Sequence, residues 1–257
     1  MSAAADAFTM PLDARGNADF GPVIEGSLAA WRAAHPGALV ANIAERRDLT
    51  DADFAHLRGV RALCMRGCNQ NSVTDAAFAH LSGVCVLDMS LCCQDGVTDA
   101  AFAHLRGIRV LDMSLCCQAG ITDAAFAHLA GIRSLRMAGC DQDGITDAAF
   151  AHLAGIQELS IYGVGSQLTD AAFAPLAGIQ SLDMGFNNQA GVTAAALAHL
   201  RGIRHLHLRS CSQPQLTGRT FGLLKGARLW LSDYRDDLVR AARAQGLSVT
   251  VYCGDKR

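Results

Sequence analysis

Ten cysteines and nine histidines are the residues of this 257-residue chain best equipped for chemistry. Thiolates and imidazoles bind metals, thiols oxidise, and both act in covalent catalysis. Their spacing argues for a quieter use. Cys68, Cys92, Cys116, Cys140 and Cys211 share one register of a repeating pattern, and Asn187 holds that register in another copy. A structural zinc site needs four converging donors, whereas a column offers one per copy. The expected role is a ladder of buried thiols donating weakly to the backbone of the adjoining copy, as the Asn187 amide would. Zinc and cross-copy disulfides are the alternatives. His56, His80, His104, His128, His152 and His199 are also one position copied, with Pro175 breaking the series, and read as a structural column.

His205 and His207 differ in kind, because they project from the same side of one strand and Asp183 shares the His207 register. Two imidazoles and a carboxylate could hold a metal or respond to pH, and a solvated polar patch is the plainer reading. Cys64, Cys85, Cys93, Cys117 and Cys253 are expected to be exposed or partly exposed, without an evident base beside them. Cys93 and Cys117 share a loop register and can oxidise. The chain shows no phosphate-binding loop, no G-x-S-x-G and no H-E-x-x-H. No catalytic residue, metal or cofactor is assigned, and the expectation is that the protein is not an enzyme.

The elements that must position these residues follow from the stretch Val97 to Gly120, VTDAAFAHLRGIRVLDMSLCCQAG, which recurs with starts at Leu49, Val73, Val97, Ile121, Ile145, Leu168, Val192 and Leu216. A fixed period of this size marks stacked supersecondary units. Thr98 can cap a short helix, Asp99 meets the positive end of its dipole, Phe102 and Leu105 supply a buried face, and Gly107 ends it. Val110 to Ser114 then alternates with period two, which sends Leu111 and Met113 inward and Val110, Asp112 and Ser114 outward. Gln70, Gln94, Gln118, Gln142, Gln189 and Gln213 form a further loop column suited to capping carbonyls. One such coil cannot bury enough apolar surface to fold alone, so stability has to come from stacking.

The pattern L-x-M-x-x-C, here Leu111, Met113 and Cys116 followed by Ile121-Thr122-Asp123, resembles the cysteine-containing leucine-rich repeat. The resemblance implies an α/β fold: a leucine-rich repeat solenoid with a curved parallel sheet on its concave face and short helices on its convex face. It also implies the binding of other proteins. Many relatives couple such repeats to an F-box that docks on a ubiquitin-ligase adaptor, but no F-box pattern is visible here. Three functional classes follow: a protein- or peptide-binding module, a substrate-recognition subunit of a ubiquitin ligase, and a structural subunit of a larger assembly.

Four regions are expected. Residues 1–24 form a loose arm, 25–48 a degenerate capping repeat with Leu39 in the Leu63 column and Ala41 in the Met65 column, 49–232 the repeats, and 233–257 a helix–strand cap sealed by Trp230 and Tyr234. The formal charge of −2 gives no field that would draw nucleic acid or an anionic membrane. The start carries no basic and apolar signal-peptide pattern, which points to an intracellular location, cytoplasmic or nuclear. The outward strand positions change most between copies: Asp88, Asp112, Arg136, Glu158, Tyr162, Asp183, His205, His207 and Arg209 are therefore the candidate partner contacts. Tyr162 and Arg136 lead them, because Tyr and Arg anchor interfaces best. The partner is an unidentified protein, and the oligomeric state is open.

Overall fold

A computed structural model describes residues 8–10, 18–164, 168–211, 217–232 and 235–252. Gln213, Leu216, Tyr234 and Cys253 lie outside the described residues. Ten strands form one parallel sheet in chain order: β1 Val40–Asn42, β2 Ala62–Cys64, β3 Val86–Asp88, β4 Val110–Asp112, β5 Ser134–Arg136, β6 Glu158–Ser160, β7 Ser181–Asp183, β8 His205–His207, β9 Arg228–Ser232 and β10 Ser248–Tyr252. Register is set by the central side chain of each triplet. Ala41, Leu63, Leu87, Leu111, Leu135, Leu159, Leu182, Leu206 and Leu229 pair in succession and are buried, because a slip of one residue would turn each of them to solvent.

The capping coil is shorter than its sequence suggests. Ala41 lies opposite Leu63 and Ile43 fills the inward place of Met65, two residues away from the expected alignment, and Leu39 is exposed. A constant 24-residue spacing does not carry into this coil, because the longer helix α1, Leu28–Ala34, replaces the repeat's own turn. Ser27 caps it by accepting from the amides of Ala29 and Ala30. Arg32 then ties it to the first repeat, donating to the carbonyls of His56 at 2.7 Å and Arg58 at 3.2 Å.

On the convex side the repeats carry single turns of helix, α2 Asp75–Phe78, α3 Asp99–Phe102, α4 Asp123–Phe126 and α5 Asp147–Phe150, then the longer α6 Ala194–His199. Their phenylalanines, with Phe54, Phe173 and Phe221 from 3₁₀ turns, are fully buried in one continuous core. Gly107 takes φ +88° where each turn ends, a conformation that costs glycine little. At the far end, α7 Asp236–Ala244 packs beside β10, which adds in parallel to β9. His56, His80, His104 and His128 sit half-buried on the convex side, and His152 and His199 are exposed.

The cysteine column is buried as a ladder. The thiols of Cys68, Cys92, Cys116, Cys140 and Cys211 donate to the carbonyls of Ile43, Met65, Met89, Met113 and Met184 at 3.0–3.2 Å, each in the preceding coil. The Asn187 amide does the same to Ile161 at 2.9 Å. Gln142 and Gln189 donate to the carbonyls of Cys116 and Val164, and Gln94 to that of Cys68. Cys93 and Cys117 form a disulfide between neighbouring coils, Cα atoms 5.1 Å apart.

Candidate functional site

Sheet register sorts the candidate contacts into three rows along the concave face. Asp88, Asp112, Arg136, Asp183 and His207 share the middle row with Cys64, Ser160 and Trp230. Glu158 and His205 share the row before it with Val86, Val110 and Arg228. Tyr162 and Arg209 follow β6 and β8, beyond the strand ends. At about 4.8 Å per strand, Asp88 and His207 are about 24 Å apart, so these residues make an extended face and not one catalytic cluster.

Within that face the structure brings three groups together. Arg136 lies 3.9 Å from Asp112 and lines, with Glu158, Ser160, Asp183 and His207, a depression of about 280 Å³. Glu158 accepts from the Ser134 hydroxyl at 3.2 Å. Tyr162 meets the Phe186 ring at 5.0 Å between centroids, and the Arg209 guanidinium lies 5.6 Å from Phe186 and 5.0 Å from Tyr252. Cation–π geometry of this sort holds a guanidinium in place while leaving its N–H edge free for a partner carboxylate. His207 stacks on Trp230 at 4.0 Å, and His205 tilts against the same indole at 5.6 Å. Burial pulls the His207 imidazole below its ordinary pKa, against the opposite pull of Asp183. Among the described residues no three His, Cys, Asp or Glu side chains converge as metal ligands.

Three findings correct or extend the reading of the sequence. Trp230 does not seal the end of the stack: Leu229 and Leu231 point inward, so Trp230 faces the concave side with Arg228, as the alternation of 228–232 could have indicated. Cys64 is not exposed but 6% accessible, and its thiol donates to the Asp88 carboxylate of the next strand at 3.7 Å. Phe186 was missed altogether. It is 44% exposed at φ +58°, in the left-handed position that Gly139 and Gly163 fill in other coils, and only the three-dimensional neighbourhood of Tyr162 and Arg209 marks it. The aspartates have a second job as well. Asp88, Asp112 and Asp183 accept the amides of Ser90, Ser114 and Gly185 at 2.9–3.0 Å, which shapes the turn after each strand.

No protein-family model matches the chain, and no curated protein sequence matches it. Solved structures do resemble it. Internalin C2 from Listeria monocytogenes is 20% identical with a TM-score of 0.57, covering 83% of this chain and 81% of that one. Human 5T4 is 20% identical with a TM-score of 0.57, covering 84% and 88%. TLR13 in its ssRNA13 complex is 22% identical with a TM-score of 0.57, covering 72% of this chain and 26% of that chain, so this chain spans about a quarter of it. At this identity the likeness concerns architecture, and it agrees with the ten-stranded parallel sheet: the protein is a leucine-rich repeat solenoid. Among the described residues no helix is long and apolar enough to cross a membrane.

Proposed function

We propose that this solenoid is a non-catalytic interaction module that holds a protein or peptide on its concave face. The observation that carries the reading is the concentration of aromatic and charged side chains on the sheet's outward rows and the turns that follow them: Phe186, Arg209 and Arg136 exposed, Tyr162 and Trp230 half-buried. Tyr, Trp and Arg dominate interface energetics, and a face that sets them beside one another in fixed geometry offers hot spots at low ordering cost. The division into an arm, a capping coil, repeats and a terminal helix–strand cap belongs to the same reading, with contacts at Asp88, Asp112, Arg136, Glu158, Tyr162, Asp183, His205, His207 and Arg209.

A pull-down from the native source with the double variant Tyr162→Ala/Arg136→Glu tests it. The expected result is loss of the bound partner by tenfold or more with unchanged thermal unfolding; full retention of every partner overturns the concave-face assignment. Recovery of an adaptor and a cullin would select ubiquitin ligation, and a constant stoichiometric complex a structural subunit. The intracellular location is tested by the Cys93–Cys117 disulfide, which a reducing intracellular thiol pool opens: a reduced pair in protein isolated under thiol-trapping conditions supports that location, and an intact disulfide overturns it.

A further inference from the structure

Two valines separate the two ends of the concave face. Val86 and Val110 occupy the same row in adjacent coils that share the sequence VLDMSLCCQ, yet Val86 is 8% accessible and Val110 37%. Their row neighbours do not explain it, since Val86 lies between Ala62 and Val110, and Val110 between Val86 and Ser134. Arg66 and Arg136 of the repeats line the space beside the valines, and the rest of the cover comes from outside the repeats. Ala18 and Phe20 line a cavity of about 240 Å³ together with Val86, Asp88, Val110 and Asp112.

The segment that supplies this cover is lightly attached. Ile24 is its buried anchor, donating its amide to the Asn42 carbonyl at 2.7 Å. Ahead of it the Gly21 carbonyl accepts from the Asn42 side-chain amide at 2.7 Å, and the Asp19 carboxylate accepts the Gly21 amide at 2.9 Å. Ala18, Asp19, Gly21, Pro22 and Val23 are exposed, and Phe20 is half-buried. Segments with few buried apolar contacts open at far lower cost than the sheet beneath them.

We infer that the β1–β4 end of the concave face is a groove for an extended peptide bearing an aromatic or large aliphatic side chain, and that residues 18–23 occupy it in cis until a partner peptide displaces them. The recognition chemistry is the one the arm displays: a backbone carbonyl on the Asn42 amide and an apolar side chain at the two valines. Tethering gives the arm a high effective concentration, so a partner binds the covered groove more weakly than the open one. This deepens the concave-face reading and rests on it for the identity of the occupant.

The test needs no partner. Cys64 lies in the middle row between Asn42, which holds the arm, and Asp88, which lines the arm's cavity. Its burial pushes the thiol up to about 11, and on this proposal the arm supplies part of that burial, so its reaction with an aromatic disulfide reagent at pH 8 reports the cover. In a Cys85→Ser/Cys93→Ser/Cys117→Ser/Cys253→Ser background, the full chain is expected to react slowly. Phe20→Asp in the full chain, and removal of residues 1–20, should each raise the Cys64 rate at least tenfold while thermal unfolding stays cooperative. A synthetic peptide of residues 8–24 added to the shortened chain should restore the protection. Unchanged reactivity in Phe20→Asp overturns the cover, whether or not the shortened chain folds. Raised reactivity that the peptide fails to reverse overturns the groove. Neither result touches the Tyr162→Ala/Arg136→Glu experiment, so the two readings fail separately.

Discussion

Residues Cys68, Cys92, Cys140 and Cys211 have their thiols pushed up to about 12 by burial, and Cys116 is raised further in the same direction. An unfolded thiol titrates near about 8.5, so above that pH the unfolded chain loses protons that the folded chain retains. Fewer protons bound in the unfolded state means stability falls as pH rises, by up to about 1.4 kcal/mol per pH unit for each thiol. Urea midpoints under reducing conditions should therefore drop between pH 8.5 and 10.5, and Cys92→Ala should show a shallower slope than the parent. At Phe186 the logic is one of placement. A side chain held at φ +58° while 44% exposed costs about 1–2 kcal/mol of backbone strain that burial does not offset. Phe186→Gly is expected to leave stability within about 1 kcal/mol of the parent and to weaken partner binding tenfold. Lost stability with intact binding would make Phe186 a packing residue.

The repeated element is held together by a device that reading each coil separately does not reveal. Thr-Asp opens the helical turns of the first six repeats, before Thr193-Ala194 and Thr217-Gly218 drop the acid, and the natural assignment is Thr to the cap and Asp to the dipole. Thr98 does cap, accepting from the Ala100 amide at 3.3 Å. The carboxylate, however, reaches across coils. Asp75 accepts both the amide and the hydroxyl of Thr98 at 2.7 Å, and the pairs Asp51–Thr74, Asp99–Thr122, Asp123–Thr146, Asp147–Thr169 and Asp170–Thr193 repeat this at 2.5–2.9 Å. Glycine before the motif is part of the same fit, since a Cβ at Gly120 would stand 2.9 Å from the Thr98 methyl. Asp99→Asn keeps the shape but removes the charge and one acceptor, and should cost about 1–3 kcal/mol by urea unfolding. Equal stability of Asp99→Asn and parent would reduce the ladder to ornament.

For the molecule as a whole, the sheet has two ends, and each needs a cover because a free strand edge invites pairing with another chain. Strand β10 and helix α7 cover β9. Truncation after Ser232 should therefore produce soluble oligomers by size-exclusion chromatography with light scattering, while a monomeric truncated chain would show that β9 protects itself. The solenoid was legible in the chain because its core is periodic. A side chain repeated every 24 residues meets its own copy, so Phe102, Leu111, Met113 and Cys116 announce burial without any knowledge of distant neighbours. The candidate face was legible as rows of outward positions for the same reason. What only the tertiary structure decided is everything that breaks the period: the two-residue shift of β1, the Cys93–Cys117 bond, the meeting of Tyr162 with Phe186 and of His207 with Trp230, and the arm over Val86. These contacts join positions unique to one coil, and their energies depend on which side chains stacking brings within reach, a fact that no single copy of the repeat contains.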